Sequence, residues 1–181
     1  MKILVLGAQG QLGRCLRDSA TSTGFDIILT SRWEIDVCEF SETAEKIAFL
    51  KPDVVINAAA FTAVDGAEED PEIADLINHR AVDNIARACR KSGSLLIHLS
   101  TNYVFDGSSS LPYREHHEPN ALGVYAQSKL MGEKAIEVVQ CHYMIVRTAG
   151  IYSEYGNNFL KTMLRLASRK EAISIVCDQF G

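Results

Sequence analysis

The chain opens MKILVLGAQGQLG, a short apolar run that ends in three evenly spaced glycines, Gly7, Gly10 and Gly13. No other stretch limits the fold as strongly. Lys2–Leu6 is rich in β-branched and aliphatic residues and reads as a buried strand. A helical pattern begins at Gln11, directly after the turn. G-x-x-G-x-x-G between a strand and a helix is a variant of the dinucleotide fingerprint G-x-G-x-x-G. There one glycine makes the tight turn, one lets the main chain approach a pyrophosphate, and one lets the helix pack close to the strand. The helix N-terminus then offers free N–H groups and a positive dipole end to phosphates. An ordinary glycine-rich strand–helix corner is the competing reading. Only six residues precede Gly7, too few for a signal-peptide core or a membrane span.

The rest of the chain repeats the strand–helix alternation. Strands are expected over 2–6, 26–30, 53–57, 94–100, 142–148 and 172–176, and helices over 11–22, 41–50, 71–91, 125–139 and 158–168. Ser41 is the expected N-cap of the second helix. Ile73, Ile77, Ala81, Ile85 and Cys89 recur every four residues, which predicts one long helix stopped by Gly93. Continuous apolar strands alternating with helices imply an α/β fold, a Rossmann-like doubly wound parallel sheet with helices on both faces. At 181 residues, 1–181 is read as a single NAD(P)-binding domain.

Composition excludes several function classes. Net charge is −5, the pI is near 5.5 and no long basic run occurs, so nucleic acid and anionic membranes are not expected partners. The five cysteines are odd in number and lack C-x-x-C spacing, which argues against a zinc site or a disulfide framework. They read as reduced, mostly buried thiols of a cytoplasmic protein. The His116–His117 doublet lies in a polar loop and reads as solvated surface, and no metal is expected.

Three further stretches fall at strand ends, where open parallel sheets bind ligands. After the second strand comes LTSRWEID. Ser31 and Arg32 sit where an adenosine ribose should fall, and Arg32 is suited to a 2′-phosphate, which favours NADPH. Glu34 keeps NADH open, and a plain surface arginine is the other reading of Arg32. NAAAFTAVD, 57–65, leaves room beside Ala58, Ala59 and Ala60 for a cofactor or for a tight corner. HLSTNYVFDG places Ser100 and Thr101 toward the cofactor side. In VYAQSKL, Tyr125 and Lys129 are four residues apart, so on a helix they share a face. A cation near a phenol makes it easier to ionise. Hydroxyl, phenol and amine together suit proton donation to a carbonyl.

GAQGQLG, PDVVINAAAFTAVDGAEEDPEIADLIN, STNYVFDG, VYAQSKLMGEKA and GNNFLKTMLRLA…DQFG occur in order along the chain. On these stretches it resembles the extended short-chain dehydrogenase/reductases, and among them the dTDP-4-dehydrorhamnose reductase family. The resemblance implies NADPH-dependent reduction of the C4 keto group of dTDP-4-dehydro-L-rhamnose to dTDP-L-rhamnose. It implies Thr101, Tyr125 and Lys129 as catalytic, with Thr101 on the substrate carbonyl, Tyr125 as proton donor, and Lys129 on the nicotinamide ribose and lowering the phenol pKa. Gly7, Gln9, Gly10, Gln11 and Leu12 would follow the pyrophosphate, Ala58, Ala59 and Ala60 would line the cofactor, and Asp36 and Val37 would approach the adenine. Tyr103, Asn157 and Phe159 would join Thr101 on the substrate side.

Two residues depart from the family's pattern: Asn102 stands where an Asp is usual, and Gly150 where a Trp is frequent. The family's small C-terminal substrate lobe is expected to be missing from this chain. A homodimer is left open. The alternatives are a non-catalytic regulatory subunit resembling the methionine adenosyltransferase β subunit, and another extended-family sugar-nucleotide reductase or epimerase.

Overall fold

The computed structural model describes residues 1–20, 24–169 and 172–175. Among them, five parallel strands form one sheet: β1 (Lys2–Leu6), β2 (Asp26–Thr30), β3 (Val54–Asn57), β4 (Leu95–Thr101) and β5 (Tyr143–Thr148), in the order β2-β1-β3-β4-β5. The sixth expected strand is not formed by 172–175, which are irregular, and residue 176 lies outside the described residues. The helices are α1 (Gln11–Ala20), α2 (Phe40–Leu50), α3 (Val64–Glu69), α4 (Pro71–Asp75), α5 (Ala81–Ser92), α6 (Val124–Val139) and α7 (Phe159–Ala167). Residues 21 and 22 of the first expected helix lie outside the described residues.

Alternate strand residues face opposite sides. Leu4, Leu6, Val55 and Leu96 pack with Ile47 of α2, Ile85 and Cys89 of α5, and Ile136 and Val139 of α6. Ile3, Val5 and Val54 face the other side, with Leu16 of α1 against them. That second face is less covered. No residue of α7 is buried, and its Phe159, Leu160 and Leu164 are exposed.

Three local readings are corrected. α2 begins at Phe40, not Ser41, and Glu39 at its N-cap makes no side-chain bond. Its start is set from outside, by Thr43 Oγ1 donating to Asp36 O at 2.9 Å while Ile47 is buried. The single helix expected over 71–91 is interrupted by a π-turn at Leu76–Arg80 between α4 and α5. Gly93 ends α5 at φ +75°, as expected. Finally, 64–69, to which the sequence pattern assigns no element, is α3. Its Glu68 accepts the Val124 N–H at 2.8 Å and so caps α6 from 56 residues away.

The π-turn has a clear mechanical result. One extra residue in the turn turns Asn78 inward, where it is buried. Its Oδ1 accepts from Phe61 N, and its Nδ2 donates to Phe61 O and Ser128 Oγ, all at 3.0 Å. Ser128 Oγ in turn donates to Tyr125 O at 2.7 Å. The loop after β3 and the first turn of α6 are thus held by one amide.

Candidate active site

The strand order reverses between β1 and β3, and ligands bind beyond the carboxyl ends at such a switch point. Leu6 pairs with Asn57 there, and Ala58 N donates to Leu6 O at 3.0 Å. Gly7 turns the chain at φ +78°, where L residues are strained, and a Cβ on it would lie 2.7 Å from Ala59 N. At Gly13 a Cβ would overlap Ala8 Cα. At Gly10 it would meet only Gly7 O, at 3.3 Å. The three glycines therefore do separate work: turn, open face and helix packing.

The groove above this turn is lined by Gly7, Gln9, Gly10, Arg32, Asp36, Val37 and Ala58–Ala60, with Ile35, Cys38 and Ile77. Nine predicted cofactor residues thus line one groove. Gln11 and Leu12 form the first turn of α1 beside it. Ser31 does not line it. Its hydroxyl and N–H both donate to Glu34 at 2.8 Å, and the residue is buried. Arg32 stands at the edge with an exposed side chain, donating through Nε to Asp36 Oδ2 at 2.9 Å. Asp36 and its hydrogen bond hold the guanidinium above its ordinary pKa, and Glu34 is held low by the bonds from Ser31. The Glu34 carboxylate is thereby turned onto Ser31. A glycine cradle, the free N–H groups of a helix start and a guanidinium at the far end fit a dinucleotide with a 2′-phosphate.

Two strands along, β4 ends in Thr101, which pairs with Thr148 of β5. Thr101 Oγ1 accepts Tyr103 N at 3.2 Å and caps a short 3₁₀ turn, Asn102–Val104. The Tyr103 ring stands edge-on to Tyr125, centroids 6.2 Å apart. Burial pushes the Tyr125 phenol above its ordinary pKa, opposed by a hydrogen bond with the Thr101 side chain. The phenol is therefore protonated at neutral pH. The Ser100 hydroxyl is buried with no partner among the described residues.

Lys129 departs from expectation. Its buried Nζ donates to Leu99 O at 2.6 Å and lies 3.3 Å from His98 Nε2. The net direction at Tyr125 is upward, set by burial. Burial lowers Lys129 itself to about 8, opposed by Glu133 one turn on. Glu133, also buried, is gripped by Arg147 of β5, with Nη2–Oε2 at 2.7 Å and Nε contacts at 3.1 and 3.2 Å. Neither residue was singled out from the sequence.

Asn157 and Phe159 lie at the start of α7. They flank Asn158, whose Oδ1 caps α7 through Lys161 N and whose Nδ2 reaches Gln11 Oε1 at 3.4 Å. His116 is exposed and His117 half-buried against Tyr113. Cys89 and Cys141 are buried, Cys15 and Cys38 half-buried, and Cys177 lies outside the described residues. Burial raises Cys89 to about 12, an unreactive thiol. No helix of the described residues is long and apolar enough to cross a membrane.

A parallel sheet with a glycine cradle at its switch point and a Thr, Tyr and Lys beyond its fourth strand has the architecture of an extended short-chain dehydrogenase/reductase. The chain belongs to the family described as the RmlD substrate binding domain, which matches residues 1–181. It is 42% identical to the dTDP-4-dehydrorhamnose reductase of Salmonella typhimurium, over all of this chain and 62% of that protein. It is 44% identical to that of Burkholderia thailandensis, over all of this chain and 60% of that protein. The Bacillus anthracis dTDP-4-dehydrorhamnose reductase, solved in complex with NADP, superposes with a TM-score of 0.94 at 36% identity, covering 98% of this chain and 64% of that one. The chain thus spans about three-fifths of the length of the curated relatives it matches.

The glycine cradle yields a first prediction. Gly10→Val meets little but Gly7 O inside the protein, so the fold is retained, but its methyls fill the face a pyrophosphate needs. Calorimetry should show NADPH binding lost while the melting temperature stays near wild type. Wild-type affinity in this variant would refute the cradle.

Arg32 yields a second. A charge-assisted bond to a 2′-phosphate contributes about 1.5–3 kcal/mol. Arg32→Ala should therefore reduce the preference for NADPH over NADH about tenfold or more, read as the ratio of the two dissociation constants. An unchanged ratio would make Arg32 an ordinary surface residue paired with Asp36.

Proposed function

We propose that the protein reduces the C4 keto group of dTDP-4-dehydro-L-rhamnose to give dTDP-L-rhamnose, with NADPH as reductant. The observation that carries this reading is the meeting of the Thr101 and Tyr125 side chains at the end of β4, on the same edge of the sheet as the glycine-lined groove. The identity to dTDP-4-dehydrorhamnose reductases along the whole chain supports the substrate.

NADPH, when bound, supplies the hydride. Gly7, Gly10 and the first turn of α1 hold the pyrophosphate, and Arg32 selects the 2′-phosphate. Thr101 donates a hydrogen bond to the keto oxygen and orients it. Tyr125, a protonated phenol at neutral pH, gives its proton to that oxygen as negative charge develops. Lys129 supports the nicotinamide ribose and Tyr103 borders the sugar. The test is loss of reduced-nicotinamide absorbance when the full-length protein meets dTDP-4-keto-6-deoxy-L-mannose with NADPH and then NADH. Turnover with NADPH supports the reading. Tight NADPH binding with no turnover would favour a regulatory subunit.

A further inference from the structure

His98 is wholly buried in β4, between Asn57 of β3 and Lys129 of α6. Its Nδ1 lies 3.2 Å from Asn57 Nδ2 and its Nε2 lies 3.3 Å from Lys129 Nζ. The direction of these bonds is set from one end. Ala59 N–H donates to Asn57 Oδ1 at 3.2 Å, so the amide turns its NH₂ toward His98. Nδ1 must accept. A neutral imidazole has one N–H and one lone pair, so its proton sits on Nε2 and points at Lys129. An ammonium has three donors and no acceptor. Only the uncharged amine accepts from Nε2–H while donating to Leu99 O at 2.6 Å. Turning the Asn57 amide over does not accommodate a charged Lys129, because it sets NH₂ against the Ala59 N–H. An imidazolium would face donors on both sides.

We propose that His98, oriented by Asn57, favours the uncharged amine of Lys129 before the dinucleotide binds, and that binding drives Lys129 to its ammonium. His98 is a positioning residue in this scheme, and the uptake rests on the reading of the groove as an NADPH site. The groups facing Lys129 agree with it. Tyr125, one turn before it, is a neutral phenol at pH 7. Glu133, one turn after, favours the ammonium but is itself paired with Arg147. Burial, and then the charge Lys129 carries at lower pH, hold His98 well below its ordinary pKa, so it does not compete for the proton. The phosphates of a bound dinucleotide bring negative charge, which favours the ammonium. With Lys129 near 8 before binding, the uptake should rise from about one-tenth of a proton at pH 7 to about half at pH 8 and about nine-tenths at pH 9. The charged form is the one that binds, so NADPH affinity falls about tenfold per unit above pH 8.

Two measurements on the full-length protein test this. The first needs no cofactor. Nitrogen-15 spectra of histidine-labelled protein, with His98 assigned by its loss in His98→Gln, should show the neutral Nε2–H tautomer at about pH 9, where the Lys129 amine is uncharged. The Nδ1–H tautomer would overturn the proposal. The second is NADPH calorimetry at pH 8 in two buffers of different ionisation enthalpy. The wild type should take up about half a proton. In His98→Gln the amide carbonyl can turn to an ammonium, so the uptake should fall toward zero. NADPH binding without uptake in the wild type, or unchanged uptake in the variant, would overturn the proposal. Failure of NADPH to bind at all would instead remove the functional reading, while the tautomer still decides the role of His98. If His98→Gln does not fold, the wild-type proton uptake at pH 8 decides.

Discussion

Tyr125→Phe lowers kcat for reduction of the keto-sugar by about 10²–10⁴-fold and leaves the NADPH dissociation constant within about twofold of wild type. In the proposed mechanism the phenol acts when hydride reaches the carbonyl carbon and the oxygen becomes an alkoxide. In that mechanism it is not needed to hold the cofactor, since the groove read as the cofactor site lies at the β1–β3 switch point. The ring itself stays, so the edge contact with Tyr103 is kept. Because burial raises the phenol pKa, the phenol stays protonated across the neutral range. Single-turnover and steady-state rates with NADPH check the result. Wild-type turnover in Tyr125→Phe would take proton donation away from this residue.

Lys129→Met lowers turnover as well, but unlike the phenylalanine variant it weakens NADPH binding by about tenfold or more, the loss of one charge-assisted bond. Its stability moves the other way. A lysine whose folded pKa is lowered to about 8 from an ordinary value near 10.5 resists the charged form in the fold. That cost is fully present below pH 8 and is relieved as pH rises from about 8 to about 10.5. Methionine keeps the volume and removes it. Melting at pH 7 should be equal to wild type or higher, with the advantage shrinking toward pH 10. A clear fall in melting temperature at pH 7 would show that the amine is structural.

What the sequence revealed and what it hid follow from how far each contact reaches along the chain. The glycine turn and the αL stop at Gly93 are local and stand where the sequence places them, and Tyr125 and Lys129 lie on one helix as their spacing predicts, although the Lys129 amine turns to Leu99 and His98. Asn78 looked like one more residue of a regular helix. Its meaning comes from Phe61 and Ser128, 17 and 50 residues away, and from an extra residue in the turn that periodicity does not mark. His98 sat in an apolar strand, and its partners Asn57 and Lys129 are 41 and 31 residues distant. The Glu133–Arg147 pair joins a helix to an edge strand, where no spacing rule connects the two. Ser41 failed as a cap for a related reason: a tertiary bond from Thr43 to Asp36 fixed where α2 begins. The Ser31 hydroxyl was available to a ribose only on paper, since Glu34 three residues on captures it.

The central claim is that a hydride from NADPH reaches C4 of a keto-sugar while Tyr125 protonates the oxygen. The most direct test uses NADPH deuterated at the transferable C4 position of the nicotinamide, the full-length protein and dTDP-4-keto-6-deoxy-L-mannose, with the product read by mass and proton spectra. The account predicts one deuterium per product molecule, on the sugar C4, and none in Tyr125→Phe beyond its residual rate. Product without deuterium, or sugar inverted while the label stays on the nicotinamide, would contradict it.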